Sequence, residues 1–149
     1  MTRAAVLATA LFALRRRRPI ESVALVAGMV ALYIAVHVAK AAYDRPRPAG
    51  ALIDTVGAAY PSGHAAYAVA FVPCAVVLVR AGVGWALLIG VITVAVVLVA
   101  FVAVCRVYLH AHYLSDVLGG VALSVAVWSL VGMAALFAGA VRQNEAPKP

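Results

Sequence analysis

Long apolar stretches separated by short polar segments dominate the chain. Each is close to the roughly 20 residues that a helix needs to cross a bilayer. The four stretches are residues 20–39, 62–79, 84–105 and 114–140. Pro73 interrupts the second one, and a shorter apolar stretch, residues 4–14, runs directly into arginines 15–18. The pattern predicts four transmembrane helices and a short N-terminal apolar segment that cannot cross alone.

Composition indicates that most of the chain lies in lipid. Hydrophobic residues make up 66% and charged residues 11% of the 149 residues, and the mean hydropathy is +1.06. A soluble domain carries about 25% charged residues. The sequence contains no evident linker, low-complexity block or internal repeat, so we expect a single domain over residues 1–149. The expected fold is an all-α polytopic bundle of transmembrane helices.

The basic residues between the apolar stretches indicate an orientation. If arginines 15–18 are cytoplasmic, the predicted crossings return Arg80, Arg142 and Lys148 to the same side. The sequence thus predicts a multi-pass protein of the cell (inner) membrane whose remaining polar clusters face the periplasmic or extracellular side. The net charge of +7 does not indicate a nucleic-acid partner, because these residues form no exposed basic stripe. Membrane lipids with anionic headgroups are the expected partners.

Three polar clusters interrupt the apolar chain, and all fall on this outer side. Written as patterns they read K-x6-R-P, P-S-G-H and R-x5-H-x3-D. In chain order they are Lys40 with Arg47-Pro48, Pro61-Ser62-Gly63-His64, and Arg106 with His112 and Asp116. Ten specified positions in this order rarely arise by chance.

The residue types of these clusters suit a phosphate ester. The ammonium of Lys40 and the guanidinium groups of Arg47 and Arg106 match phosphate oxygens, although each alone could be an ordinary interfacial charge. Ser62 is a good N-cap, and Gly63 lets backbone N–H groups approach a ligand. A helix that begins there would present its N-terminus to an anion.

The third cluster contains a candidate nucleophile. His112 and Asp116 are four residues apart, and on a helix this spacing places both on one face. Asp116 could then hold one imidazole nitrogen and leave the other free to attack. A buried His–Asp pair that only stabilises a helix junction is the alternative reading.

Acidic residues are too few for a magnesium site. The chain has five of them, and Asp44 with Asp54 alone would make a poor cage of oxygen ligands. Cys74 and Cys105 form neither a CxxC pair nor a zinc-ligand spacing. We therefore expect neither a metal nor another cofactor.

The three patterns resemble those of the type 2 phosphatidic acid phosphatase (PAP2) superfamily, the lipid phosphate phosphatases, in its bacterial membrane form. The resemblance implies that His112 attacks phosphorus, that a phosphohistidine forms and is hydrolysed by water, and that His64 protonates the leaving alkoxide. It also implies that Asp116 orients His112 and that phosphate is bound by Lys40, Arg47, Ser62, Gly63 and Arg106.

The substrate that the resemblance implies is a lipid carrying a phosphate monoester or a diphosphate. Undecaprenyl pyrophosphate, phosphatidylglycerophosphate and phosphatidic acid all fit, and nothing in the sequence selects among them. A catalytically silent membrane protein that binds lipid phosphates is the alternative function. Vanadium-dependent haloperoxidases share the constellation, but they are soluble proteins, and the four predicted membrane helices disfavour that reading.

The chain departs from the family pattern at three points. Cys105 stands where the third motif usually begins with serine, and His110 stands where we expect a small residue. The family usually has six transmembrane helices, whereas the resemblance covers roughly residues 10–140, so we expect the first one to two helices to be missing. We expect a fragment of a larger protein or a minimal form that buries exposed helix faces in a homodimer.

Overall fold

The computed structural model describes residues 2–82 and 84–145, and every regular element within them is an α-helix. In chain order the helices are α1 (Thr2–Arg15), α2 (Pro19–Tyr43), α3 (Gly63–Ala68), α4 (Phe71–Arg80), α5 (Trp85–Tyr108) and α6 (Leu114–Glu145). Four spans are long and apolar enough to cross a membrane: α2, α3 with α4, α5, and α6. The predicted all-α transmembrane bundle with a short N-terminal apolar segment is confirmed.

The N-terminal helix α1 packs against the bundle. Its 14 residues extend about 21 Å at 1.5 Å per residue, less than the roughly 30 Å of hydrocarbon. Its small and branched side chains, among them Val6 and Ala13, bury one face against Leu25 of α2 and Val77 of α4. A second cluster joins α2 to α3 and α6 around Leu32. The core therefore lies where α2 meets its neighbours.

The second membrane span is broken between α3 and α4. The break falls at Val69 and Ala70, just before Pro73, rather than at the proline itself. Pro73 has no N–H and therefore cannot bond the carbonyl of Val69, whereas in the first turn of α4 the missing donor costs nothing. The predicted interruption by Pro73 is thus displaced by one helical turn towards the N-terminus. This geometry leaves α3 as a separate short helix that begins at Gly63.

Glycines let α6 approach its neighbours closely. A Cβ built on Gly120 would lie 2.5 Å from the carbonyl oxygen of Ser62, at the start of α3. A Cβ on Gly119 would meet the ring of Tyr60. On the facing helix α2, a Cβ at Gly28 would meet the indole of Trp128. These contacts fix the position of α6 against the other helices.

One end of the bundle, called here the arginine end, gathers three basic residues from outside the polar clusters: Arg18, Arg80 and Arg142. Glu21 at the start of α2 lies 3.1 Å from Arg18 and 3.7 Å from Arg80 at the end of α4. Arg142 of α6 lines the same groove as these two arginines. Three of the predicted inner-side charges therefore share one end, whereas Lys148 lies outside the described residues.

We predict that Gly120→Ala destabilises the protein by about 1–3 kcal/mol, because the added methyl group collides with backbone at Ser62 and not with a flexible side chain. Gly132→Ala on the same helix is the matched control, since a Cβ there has no neighbour within 4 Å. Thermal unfolding in detergent checks the pair. Equal unfolding temperatures for both variants would contradict the close approach of α6 to α3.

Candidate active site

The loop between α2 and α3 is held in place by the side chains of the first polar cluster. Lys40, near the end of α2, donates a hydrogen bond to the carbonyl of Ala58. Arg47 donates from Nε to the carbonyl of Gly57 at 2.9 Å and from Nη2 to that of Val56 at 2.9 Å. The loop therefore folds back over the cationic groups and fixes their positions.

Arg47 also joins the first cluster to the third. Its Nη1 donates to the carbonyl of Ala111 at 2.8 Å and lies 3.5 Å from Nε2 of His112. The carbonyl of Arg106 accepts the backbone N–H groups of Ala111 at 3.1 Å and His112 at 3.2 Å. A tight turn after α5 thus holds His112, which is 4% exposed, with Nε2 beside the Arg47 guanidinium.

The carboxylate of Asp116 is fully buried and has two partners. Its Oδ1 accepts a hydrogen bond from Nη1 of Arg45 at 2.8 Å, and its Oδ2 accepts one from the backbone N–H of Tyr113 at 2.8 Å. The backbone carbonyl of Asp116 accepts the N–H of Ser62 at 2.8 Å. Asp116 therefore contacts the segments of all three clusters.

Arg45 is a site residue that the sequence analysis missed. Besides Asp116 it donates to Oγ of Ser115 at 2.7 Å, and its guanidinium lies 4.3 Å from the ring centroid of Tyr113. Its own carbonyl accepts the N–H of Ala59 at 2.8 Å. Two features of the sequence could have indicated Arg45. An aspartate in a mostly apolar chain needs a cation if it is buried, and Arg45 is a spare arginine two residues before the motif residue Arg47.

His112 and Asp116 do not share a helix face, so that part of the sequence argument was wrong. Helix α6 begins at Leu114, and His112 lies in the turn before it. Asp116 occupies the third position of α6 and reaches back to the N–H of Tyr113, as the acidic residue of a capping box does. Nδ1 of His112 still lies 3.6 Å from Oδ2 of Asp116, which is beyond hydrogen-bond distance.

Ser62 occupies the N-cap position of α3, but its hydroxyl does not cap the helix as expected. The side chain is buried, and its Oγ has no hydrogen-bond partner among the described residues. The backbone carbonyl instead accepts the N–H of Ala66 at 3.0 Å. At Gly63, an added Cβ would make only ordinary contacts, the nearest 3.5 Å from Tyr67. Packing within the protein therefore does not require glycine at this position.

His64 lies in the first turn of α3 with its side chain exposed. The charges of Arg106, Arg47 and Lys40 all act on its imidazole, and the charge of Arg106 also acts on Arg47. The structure therefore brings all eight predicted site residues to one end of the bundle, opposite the arginine end. His112 and Asp116 form its buried floor, and His64 is open to the surroundings.

Two other residues singled out in the sequence, His110 and Cys105, are also located. His110 has a backbone φ of +51° in the left-handed region, which is a physical reason to expect a small residue there. Cys105 is a half-buried free thiol in the last turn of α5. Among the described residues, no three His, Cys, Asp or Glu side chains gather as a potential metal site.

The pKa of His112 lies below the ordinary value for histidine. Burial is the main cause, and the positive charge of Arg47 lowers the pKa further, while the carboxylate of Asp116 partly opposes both. Burial disfavours the charged imidazolium more than this carboxylate stabilises it. His112 is therefore neutral at physiological pH, the form in which an imidazole nitrogen can act as a nucleophile.

Fold and site together define an α-helical membrane protein with cationic side chains close to a buried histidine. The family model of the PAP2 superfamily matches residues 21–138, and the chain belongs to this superfamily, whose members are generally phosphatases. The family predicted from the three motifs is confirmed. Neither the curated proteins nor the solved structures include a match to this chain.

We predict that Arg45→Gln destabilises the protein by about 1–3 kcal/mol, because it leaves the buried carboxylate of Asp116 without its cation. Arg16→Gln, at the opposite end of the bundle, is the control. Thermal unfolding in detergent compares them. If the two variants unfold at the same temperature, the ion pair does not stabilise the fold.

We predict that the pKa of His112 lies below the ordinary value for histidine and that Arg47→Gln raises it, because this variant removes a nearby positive charge that disfavours the imidazolium. If an activity needs neutral His112, its decline on the acid side of the pH profile then occurs at a higher pH in the variant than in the wild type. NMR titration of the labelled imidazole measures the pKa directly. Arg106→Gln is the matched control, since Arg106 does not act on His112 in this way; equal shifts in both variants would contradict the assignment.

Proposed function

We propose that the protein is a membrane phosphatase that hydrolyses lipid phosphate monoesters or diphosphates through a phosphohistidine, without a metal. The observation that supports this most is the convergence of three cationic side chains on two histidines. Arg47 is within 3.5 Å of Nε2 of His112, and its charge acts on His64 together with those of Lys40 and Arg106. Membership of the PAP2 superfamily supports the same class of reaction.

The cationic residues retain donors for a phosphate group. Arg47 gives three of its five N–H groups to backbone carbonyls, and Lys40 gives one of its three. The remaining donors would bind phosphate oxygens together with the guanidinium of Arg106. The backbone N–H of Gly63 and the hydroxyl of Ser62, which has no hydrogen-bond partner among the described residues, would complete the site.

In the proposed mechanism, Nε2 of His112 attacks phosphorus while the bond to the leaving oxygen breaks. His64 gives its proton to that oxygen, which leaves as an alcohol or as a phosphate ester. Water then attacks the phosphohistidine, neutral His64 accepts a proton from it, and phosphate leaves. The cations stabilise the negative charge of both transition states, as a metal would otherwise do.

Asp116 would stabilise the charge that develops on the imidazole. Its Oδ2 lies 3.6 Å from Nδ1 of His112, so a movement of well under 1 Å produces a hydrogen bond. Catalytic hydrogen bonds are often long before substrate binds. Arg45 acts here as a positioning residue, because its 2.8 Å ion pair holds the carboxylate in place.

The proposed substrates keep their tails in the bilayer while the headgroup reaches the site. The site lies at the ends of the membrane helices, so undecaprenyl pyrophosphate, phosphatidylglycerophosphate and phosphatidic acid all suit it. We also propose that this end faces the periplasmic or extracellular side of the cell membrane, because the other end gathers arginines. A homodimer is proposed as the form that covers exposed helix faces.

The test is phosphate release from these three lipids in detergent micelles with EDTA present. We predict release by the wild type, and none above background by His112→Ala. His64→Ala should be slower by roughly 10²–10⁴-fold, as expected for loss of a general acid. His37→Ala is the matched control, because His37 is exposed and its Nδ1 bonds the carbonyl of Tyr33 on its own helix, at 2.8 Å.

Different outcomes overturn different parts of the proposal. Loss of release in EDTA that Mg²⁺ restores would contradict the metal-free mechanism. Undiminished release by His112→Ala would contradict the nucleophile. If the folded wild type binds these lipids but releases no phosphate, with or without Mg²⁺, the protein is the catalytically silent binder instead.

A further inference from the structure

A large groove opens at the arginine end of the bundle, opposite the candidate active site. It has a volume of about 790 Å³ and lies between α2, α4 and α6. Ligand-binding cavities in proteins typically measure about 300–1,000 Å³. Its walls are apolar and include Leu25 from α2, Val72 and Val76 from α4, and Trp128 and Leu136 from α6. We call it the arginine-rimmed groove.

The rim of the groove is strongly cationic. Arg18 precedes α2, Arg80 ends α4 and Arg142 lies near the end of α6, so three different segments each contribute a guanidinium. Glu21 is the carboxylate that lines this groove, and it is shared, 3.1 Å from Arg18 and 3.7 Å from Arg80. Positive charge therefore exceeds negative charge along the rim of the arginine-rimmed groove.

An amphipathic anion fits this arrangement. We propose that the arginine-rimmed groove binds an anionic phospholipid, with its phosphate between the arginines and an acyl chain along the apolar walls. Forked guanidinium donors suit phosphate oxygens, and clustered arginines at a membrane surface attract anionic headgroups. The apolar walls give the chain a surface that excludes water. This inference does not depend on the proposed phosphatase activity, because the groove shares no residue with the candidate active site.

Charge favours lipid over a second copy of the chain as the occupant. Two copies inserted in one membrane with the same orientation bring their arginine ends to the same side. An interface at this groove would therefore place Arg18, Arg80 and Arg142 of one copy near those of the other, and like charges repel. An anionic headgroup instead neutralises the rim.

The first test removes charge from the rim. The variant Arg80→Gln/Arg142→Gln is compared with Arg15→Gln/Arg16→Gln, which loses the same charge near the same end from residues that do not line the groove. Binding of phosphatidylglycerol and of phosphatidylcholine to the detergent-purified protein is followed by native mass spectrometry. We expect the rim variant to lose affinity for phosphatidylglycerol by about fivefold per arginine, and the control to lose little.

The second test fills the groove without changing charge. Gly132 lines the groove and a Cβ there has no neighbour within 4 Å, so Gly132→Leu should fold and occupy the space of the acyl chain. Gly90→Leu on α5 is the matched control, because Gly90 also has open space but does not line the groove. We expect Gly132→Leu alone to lose the bound lipid. Arg106→Gln should retain it, which separates this site from the candidate active site.

Three results would overturn the proposal. Equal losses in the two arginine pairs would show that the lipid responds only to the overall charge of this end. Equal affinity of the wild type for phosphatidylglycerol and phosphatidylcholine would show that the rim does not select an anion. A wild-type dimer in light-scattering measurements that Gly132→Leu converts to a monomer would show that a second copy, not lipid, fills the groove.

Discussion

A carboxylate with no exposed surface has lost its hydration and needs hydrogen bonds from the protein in place of those from water. Asp116 obtains one from Arg45, in the loop after α2, and another from the N–H of Tyr113, in the turn before α6. Its backbone carbonyl accepts the N–H of Ser62, at the start of α3. The polar segments that flank three membrane helices therefore meet at one residue.

The residues of the first cluster combine structural and chemical roles. Arg47 donates to the carbonyls of Val56, Gly57 and Ala111, so the loop and the turn that holds His112 are tied to the same guanidinium. Lys40 holds Ala58 in the same way. Side chains that are already fixed lose less entropy when a ligand binds, so these contacts would preorganise the cationic groups for the proposed phosphate ligand.

Hydropathy predicted the membrane spans well, because lipid requires long apolar helices whose backbone groups bond internally. The break before Pro73 was predicted only approximately: a proline removes the hydrogen bond to the carbonyl four residues earlier, so the helix opens on the N-terminal side of the proline and not at the proline itself. The motif residues were found from the family resemblance, and the structure brings them together. The role of Arg45 and the position of His112 outside α6 were not predicted. The first depends on a contact between segments that are far apart in sequence. The second depends on the local bond from the N–H of Tyr113 to Asp116, which starts α6 after His112 and which helical spacing alone does not predict.

The distribution of charge around the candidate active site links ligand binding to stability. Lys40, Arg47 and Arg106 stand near one another, while the nearby carboxylate of Asp116 is already paired with Arg45. The fold thus confines like charges that an unfolded chain would separate. An anion bound among them relieves this repulsion, and any ligand of the folded state alone raises the free energy of unfolding. Inorganic phosphate should therefore raise the free energy of unfolding and, under the proposed function, compete with the lipid for the same site. The phosphate concentration of the purification buffer thus changes the measured stability of the protein.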